Sequence, residues 1–211
     1  MADLIYKDEC YRIYGICYSV QNTVGSVFNE KQYQEALAVK LRAEQIPYER
    51  YKLGERLKAL IIIVEKNPKG PGIFLSRSHP RLLKKLFEIE VPEIAAGTVE
   101  VKSIAREAGS RTKVAVTSLE DGVDPVGSLV GQKGIRVSTV IQELGGEKID
   151  VIEWDENPAR FVANSLSPSR VLHVEIDEKR KEAKAMVPDD QLSLAIGKGG
   201  QNVRLAAKLT G

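Results

Sequence analysis

Two short runs constrain this chain more than anything else in it. They are Leu129-Val130-Gly131-Gln132-Lys133-Gly134-Ile135-Arg136-Val137 and Ala195-Ile196-Gly197-Lys198-Gly199-Gly200-Gln201-Asn202-Val203-Arg204. Each places an apolar stretch first, then Gly-x-x-Gly with a lysine inside it, then a helical pattern. Glycine reaches backbone angles that a side chain forbids and lets another backbone approach closely. A helix that starts at the second glycine presents free amides and the positive end of its dipole. The natural guest at such an end is an anionic phosphate. Lys133 and Lys198 add a point charge there. A single copy could be an ordinary turn between two helices, because short motifs match by chance. Two copies restrict the reading. Gly131 and Gly134 align with Gly197 and Gly200 at one common offset, and at that offset Asp124 meets Asp190, Val130 meets Ile196, Val137 meets Val203 and Gly145 meets Gly211. Self-similarity of this kind signals duplication of one supersecondary module.

A loop that clamps a sugar-phosphate backbone beside an apolar groove for splayed bases resembles the clamp of a KH module on single-stranded RNA. The candidate RNA-binding residues are Gly131, Gln132, Lys133, Gly134 and Arg136 in the first copy. In the second they are Gly197, Lys198, Gly199, Gly200, Asn202 and Arg204. Arg136 and Arg204 lie just inside the following helices, within reach of phosphate or base edges, or else they are solvated helix charges. Val130, Ile135 and Ile196 are expected chiefly in the core, with the base groove as the other role.

Composition permits this function without announcing it. The chain has 211 residues, 43% hydrophobic and 28% charged, which suits two or three small globular domains. A net charge of +2 means that phosphate contacts must come from local patches and not from a global field. The N-terminus carries Asp3, Asp8 and Glu9 and does not read as a secretory leader. The longest apolar run, Ala59 to Val64, is too short to span a membrane. Cys10 and Cys17 fall on one helix face and read as packing residues, so a cytoplasmic protein is expected.

Taken in order, the pattern predicts helices from Leu4 to about Thr23 and from Asn29 to Glu44. Leu57 to Val64 and Ile73 to Leu75 read as a strand hairpin around a turn cluster at Lys66 to Gly72. His79 and Pro80 start a helix whose apolar face is Leu82, Leu83, Leu86 and Phe87. Ile94 to about Ala108 reads as helical, and Arg111 to Leu119 as a strand. Asp124 is the expected cap of a short helix before the first loop, and Gly145-Gly146 stops the helix after it. A strand ends near Trp154, and Asn157 caps a helix from Pro158. Val171 to Ile176 and Ala183 to Val187 read as paired strands. Asp189 or Asp190 caps the helix leading to Gly197. His79 and His173 have no second metal ligand beside them in the sequence.

The opening resembles the GxxExxY family, of PD-(D/E)xK nuclease type, through Leu4-Ile5-Tyr6-Lys7, Gly15-Ile16-Cys17, Val24-Gly25, Phe28 to Leu37 and Ile46 to Arg50. Val27 stands where that signature has a glycine. A Mg²⁺ nuclease needs an Asp and a Glu-x-Lys element converging on one metal, and no strand pair after Arg50 offers them. Glu30 therefore reads as a solvated helix carboxylate, with a metal ligand as the alternative. From Tyr51 onward the chain resembles the NusA family of bacterial transcription elongation factors. The marks are Leu75-Ser76-Arg77-Ser78-His79-Pro80, Val91-Pro92-Glu93-Ile94, Ile104 to Arg111, Asp124-Pro125-Val126-Gly127 and both glycine loops.

That resemblance implies an α/β (α+β) class with tandem prokaryotic-type KH domains. It implies these domains: residues 1–50 a truncated GxxExxY-like helical pair, 51–79 a partial OB-type barrel hairpin, 80–155 the first KH domain, and 156–211 the second without its last strand. It implies binding of nascent single-stranded RNA in pausing, termination and antitermination, with RNA polymerase as a further partner. The polymerase-docking domain of the family is not in this sequence. No enzymatic activity, cofactor or metal is expected, and a monomer is. The alternatives are a Mg²⁺ nuclease led by Glu30 and a module that binds only protein.

Overall fold

The computed structural model describes residues 45–47, 49–50, 57–67, 70–177 and 179–211. The expected N-terminal helices, both cysteines and Glu30 lie outside the described residues. The chain divides into two compact units, one holding residues 59–77 and the other residues 46–58 and 78–211. Each is described by itself.

In the first unit β1 (Leu60–Asn67) pairs antiparallel with β2 (Gly70–Ser76), from Leu60 opposite Ser76 to Asn67 opposite Gly70. Lys66 to Gly72, expected as turn, is mostly strand, with Pro71 opposite Lys66. A two-stranded sheet consists of edges, where a proline lacking its N–H is tolerated.

The second unit begins with α1 (Pro80–Glu90). The His79 imidazole accepts a hydrogen bond from the Arg81 amide as its cap, and Leu82, Leu83, Leu86 and Phe87 are buried as expected. Then follow α2 (Pro92–Ala96), β3 (Val99–Glu107), β4 (Arg111–Ser118), α3 (Pro125–Val130), α4 (Ile135–Glu143) and β5 (Lys148–Glu153). The chain continues through α5 (Pro158–Ser165), β6 (His173–Asp177), β7 (Glu182–Met186), α6 (Leu192–Ile196) and α7 (Gln201–Thr210). Asn157 caps α5 by accepting from the Ala159 and Arg160 amides.

Three expectations need correction. Ile94 to Ala108 is not one helix. Gly97, at φ 82°, ends α2, and β3 follows. A bulge between Val101 and Ser103 breaks the alternation of that strand. The shift leaves Val101, Ile104, Ala105 and Ala108 at helix-like spacing, so a strand carried a helical signature. Asp124 does occupy the cap position of α3, but its carboxylate makes no capping bond. Neither Asp189 nor Asp190 caps α6. They open a 3-10 turn, and Gln191 takes the cap position.

The sheet order is β3-β4-β5, with β3 antiparallel and β5 parallel to β4. Thr112 to Val116 are all buried, since β4 is covered on both faces. One face packs under α1, α2 and α3. Against the other lies a cluster of Ala105, Ala115 and Ile152 with Phe161, Leu205 and Leu209, and Trp154 packs at its margin. The last three of the cluster come from α5 and α7, so the second copy of the repeat closes the core of the first. The Ser103 hydroxyl reinforces this by donating to the Leu209 carbonyl at 3.0 Å.

Behind that joint lies a buried polar network. Glu147 and Arg106 have side chains 0% and 1% exposed and pair at 2.9 Å. Glu147 also accepts from the Thr112 hydroxyl at 2.6 Å and the Gly109 amide at 2.8 Å. Lys113, fully buried, donates to the Ser167 carbonyl at 2.7 Å and to Asp150 at 3.2 Å. Burial pulls its ammonium below the usual lysine range, and Asp150 opposes that shift.

Candidate nucleic-acid interface

The two glycine loops share one backbone conformation. Gly131 has φ 72° and ψ 174°, and Gly197 has φ 73° and ψ 170°. Lys133 (φ 53°, ψ 24°) matches Gly199 (φ 59°, ψ 26°). Gly134 and Gly200 are both left-handed, at φ 75° and 73°. Each loop is closed by the amide of its second glycine donating to the carbonyl of its first, at 3.1 Å in both. The next amide, of Ile135 or Gln201, donates to the carbonyl of Gln132 or Lys198. Neither closing bond uses the two amides between the glycines.

Local sequence explains these bends. The first glycine is required by space as well as by φ. A Cβ on Gly131 would stand 2.8 Å from Cγ of Arg136, and one on Gly197 2.8 Å from Cβ of Asn202. A Cβ on Gly134 would meet nothing within 4 Å, so only its left-handed φ favours glycine there. The helices that follow, α4 and α7, start without a side-chain cap. Their first amides are left for an external acceptor or water.

The repeat also explains what holds each loop from behind. Arg136 and Asn202 occupy equivalent positions. Arg136 Nη1 donates to the Ser128 carbonyl at 2.6 Å. Asn202 Nδ2 donates to the carbonyls of Ala195 and Leu166, both at 3.0 Å, with a longer bond of 3.4 Å to Leu194, the counterpart of Ser128. Asn202 is 1% exposed, and its Oδ1 has no hydrogen-bond partner among the described residues. Both side chains tie the helix after the loop to the end of the helix before it.

The expected phosphate-reaching arginines are both engaged. Arg136 pairs with Glu93 at 3.0 Å. Hydrogen bonding from Glu93's own backbone amide, and then from Arg136, lowers the Glu93 carboxyl below its usual range against the opposing effect of burial. Arg204 Nε lies 2.6 Å from Glu107 on β3, and its Nη1 donates to the Gly199 carbonyl at 3.1 Å. Gln201 joins the same carboxylate at 2.8 Å. The Arg204 hydrogen bond, followed by that of Gln201, holds the Glu107 carboxyl down at about 2.

Gln132, Lys133, Lys198 and Gly199 are exposed at the loop tips. No salt bridge engages Lys133 or Lys198 among the described residues. A notch beside the first loop is lined by Glu93, Asp124, Ser128, Gly131, Gln132 and Arg136. Its two carboxylates disfavour a phosphate, which leaves the Lys133 side of the loop as the cationic one. Val130 is half-buried and Ile135 and Ile196 are exposed. The expectation that they serve chiefly as core is therefore corrected, because no described element covers Ile135 or Ile196 fully. His173 is exposed as well.

Sequence reasoning missed Glu93, Glu107 and Gln201. The common offset that aligned the glycines also aligns Arg136 with Asn202, so their shared bracing role was within reach. The carboxylate partners lie far away in sequence on separate elements, and no local pattern announces them. Among the described residues no three His, Cys, Asp or Glu side chains group to hold a metal ion, and no helix is long and apolar enough to cross a membrane.

Comparison with known proteins agrees with this geometry. The NusA-like first KH domain family matches residues 77–154, and the NusA-like second KH domain family matches residues 158–211. The PD-(D/E)XK nuclease superfamily matches residues 7–54. The transcription termination/antitermination protein NusA of Bacillus subtilis is 61% identical over 168 residues, which are 80% of this chain and 45% of that protein. The protein of the same name from Halalkalibacterium halodurans is 59% identical over 169 residues, 80% of this chain and 44% of that protein. That from Thermus thermophilus is 50% identical over 207 residues, 98% of this chain and 53% of that protein. The chain thus spans about half the length of the curated relatives it matches. Two copies of one loop-and-helix unit, in an α+β framework matched by both family models, show that residues 77–211 belong to the NusA-like KH family as its first and second domains in tandem.

Proposed function

We propose that this chain holds single-stranded RNA on the loops Gly131–Gly134 and Gly197–Gly200. The observation that carries the reading is the identity of the two loop conformations, each with an exposed lysine and an uncapped helix behind it. Gln132, Lys133, Lys198 and Gly199 make the contact. Arg136 and Asn202 keep the loops in shape, and Arg204 links the second loop to Glu107. Two weak sites on one rigid framework raise avidity through effective concentration. The relatives named for transcription termination and antitermination support a role of that kind here, on nascent RNA in the cytoplasm and beside RNA polymerase. The protein acts as a monomer without catalysis.

The test replaces Gln132, Lys133, Lys198 and Gly199 together by Asp. Asp is one of the few residues that tolerate the left-handed region needed at positions 133 and 199. Fluorescence anisotropy with a single-stranded RNA should show binding abolished while circular dichroism stays unchanged. Loss of two phosphate contacts in Lys133→Ala/Lys198→Ala should lower the log–log salt slope by about 1.4, at about 0.7 per contact for single strands. Equal affinity in the fourfold variant would refute the proposal.

A second reading rests on the match of residues 7–54 to the nuclease superfamily. It makes Glu30 part of a Mg²⁺-dependent cleavage site. Metal-dependent cleavage of RNA or DNA that is lost in Glu30→Gln, yet retained in the fourfold loop variant, would favour it over simple holding.

A further inference from the structure

The internal repeat exposes a second binding surface. In the first copy β5 runs parallel to β4, from Arg111 opposite Lys148 to Val116 opposite Glu153, and packs along α3 and α4. In the second copy β7 takes the place of β4, yet among the described residues it is bonded to β6 alone. A groove of about 330 Å³ occupies the corresponding place, lined among others by Ala183, Ala185, Leu192, Ile196, Val203 and Ala207. Ala183 and Ala185 share one face of β7 by strand alternation. Leu192, Ile196 and Val203 are 51%, 44% and 45% exposed, while their repeat counterparts Val126, Val130 and Val137 are half-buried. Lys184 sits mid-strand on β7, as Lys113 does on β4, and Lys113 has Asp150 opposite it on β5.

We propose that the open edge of β7 binds an extended peptide strand, running parallel to it, whose aliphatic residues alternate around one acidic residue. The template is Ile149-Asp150-Val151 of β5. Such an edge supplies main-chain hydrogen bonds for affinity, and the groove reads alternate side chains. The aliphatic residues would fill the groove beside Ile196 and Val203, and the acidic residue would meet Lys184. A nucleic-acid strand does not carry peptide donors and acceptors at the spacing of a strand edge, which makes a peptide the better fit.

The experiment titrates the full chain with a synthetic peptide of residues 146–155 and follows amide hydrogen exchange together with thermal unfolding. The expected result is that alternate amides of β7 exchange at least tenfold more slowly, saturably, with a rise in Tm. A peptide carrying Val151→Pro should give neither effect, and one carrying Asp150→Lys should bind more weakly. The fourfold loop variant should bind the peptide as the unaltered chain does, which separates this proposal from that of RNA holding. No protection at millimolar peptide overturns the proposal. So does protection that grows with protein concentration alone, which would make a second copy the occupant, or equal protection by single-stranded RNA without peptide.

Discussion

Replacing Glu147 by Gln tests whether the buried network behind the β3–β4 turn is held by charge. The carboxylate is wholly buried and accepts from Arg106 Nε at 2.9 Å, Arg106 Nη2 at 2.9 Å, the Thr112 hydroxyl at 2.6 Å and the Gly109 amide at 2.8 Å. Every neighbour is a donor. Glutamine keeps the shape but turns one acceptor into an NH₂ group, so whichever way the amide flips it faces donors. It also leaves the Arg106 guanidinium, 1% exposed, without its counter-charge. Breaking one side of a buried pair costs about 3–5 kcal/mol. For a unit of this size about 2–4 °C of Tm accompanies each kcal/mol, so Tm should fall by roughly 6–20 °C. Urea unfolding of the full chain, followed by the fluorescence of Trp154 at the edge of the shared core, reads the change. The double variant Arg106→Met/Glu147→Leu should be less destabilised than the sum of its single variants, because neither leaves a lone charge. A loss below about 1 kcal/mol in Glu147→Gln, or strict additivity in the cycle, would show that the network is solvated and the burial argument wrong.

Four further outcomes follow from the geometry. Leu205→Ala, in the core shared by both copies, should cost about 2–5 kcal/mol, and a single urea transition should shift as a whole instead of splitting. Gly197→Ala should destabilise more than Gly200→Ala, since both are strained in φ but only the first meets Asn202 at 2.8 Å; paired thermal melts decide it. Asn202→Ala should cost about 1–3 kcal/mol and weaken RNA binding without changing the salt slope, because the residue braces the loop and neutralises no phosphate. Glu107 has a folded-state carboxyl lowered to about 2 from 4.5, so its contribution is complete above about pH 5 and is lost as pH falls towards 2. Glu107→Gln should therefore flatten the acid limb of a Tm-against-pH curve.

Parts of the candidate site and fold were legible because they are local. The φ > 0 demands of each loop are written in adjacent glycines, and the caps at His79 and Asn157 come from their own helices. Strand β3 was not legible, because one bulge turned its alternation into a helical spacing. The exposure of Ile135 and Ile196 was also hidden, since burial depends on which element lies opposite.

By itself the sequence determined that one loop-and-helix unit occurs twice, that both loops carry a lysine, and that the last three quarters of the chain belong with tandem KH domains. Steric limits on φ and the repeat offset act over a few residues, and they survive in a linear string. Tertiary structure alone decided that α7 of the second copy closes the sheet of the first, that Arg136 and Arg204 are committed to Glu93 and Glu107, and that Asn202 is a buried brace. Those outcomes depend on partners far apart in the chain. Their pairing is set by burial and charge across packed elements and leaves no local trace in the residues themselves.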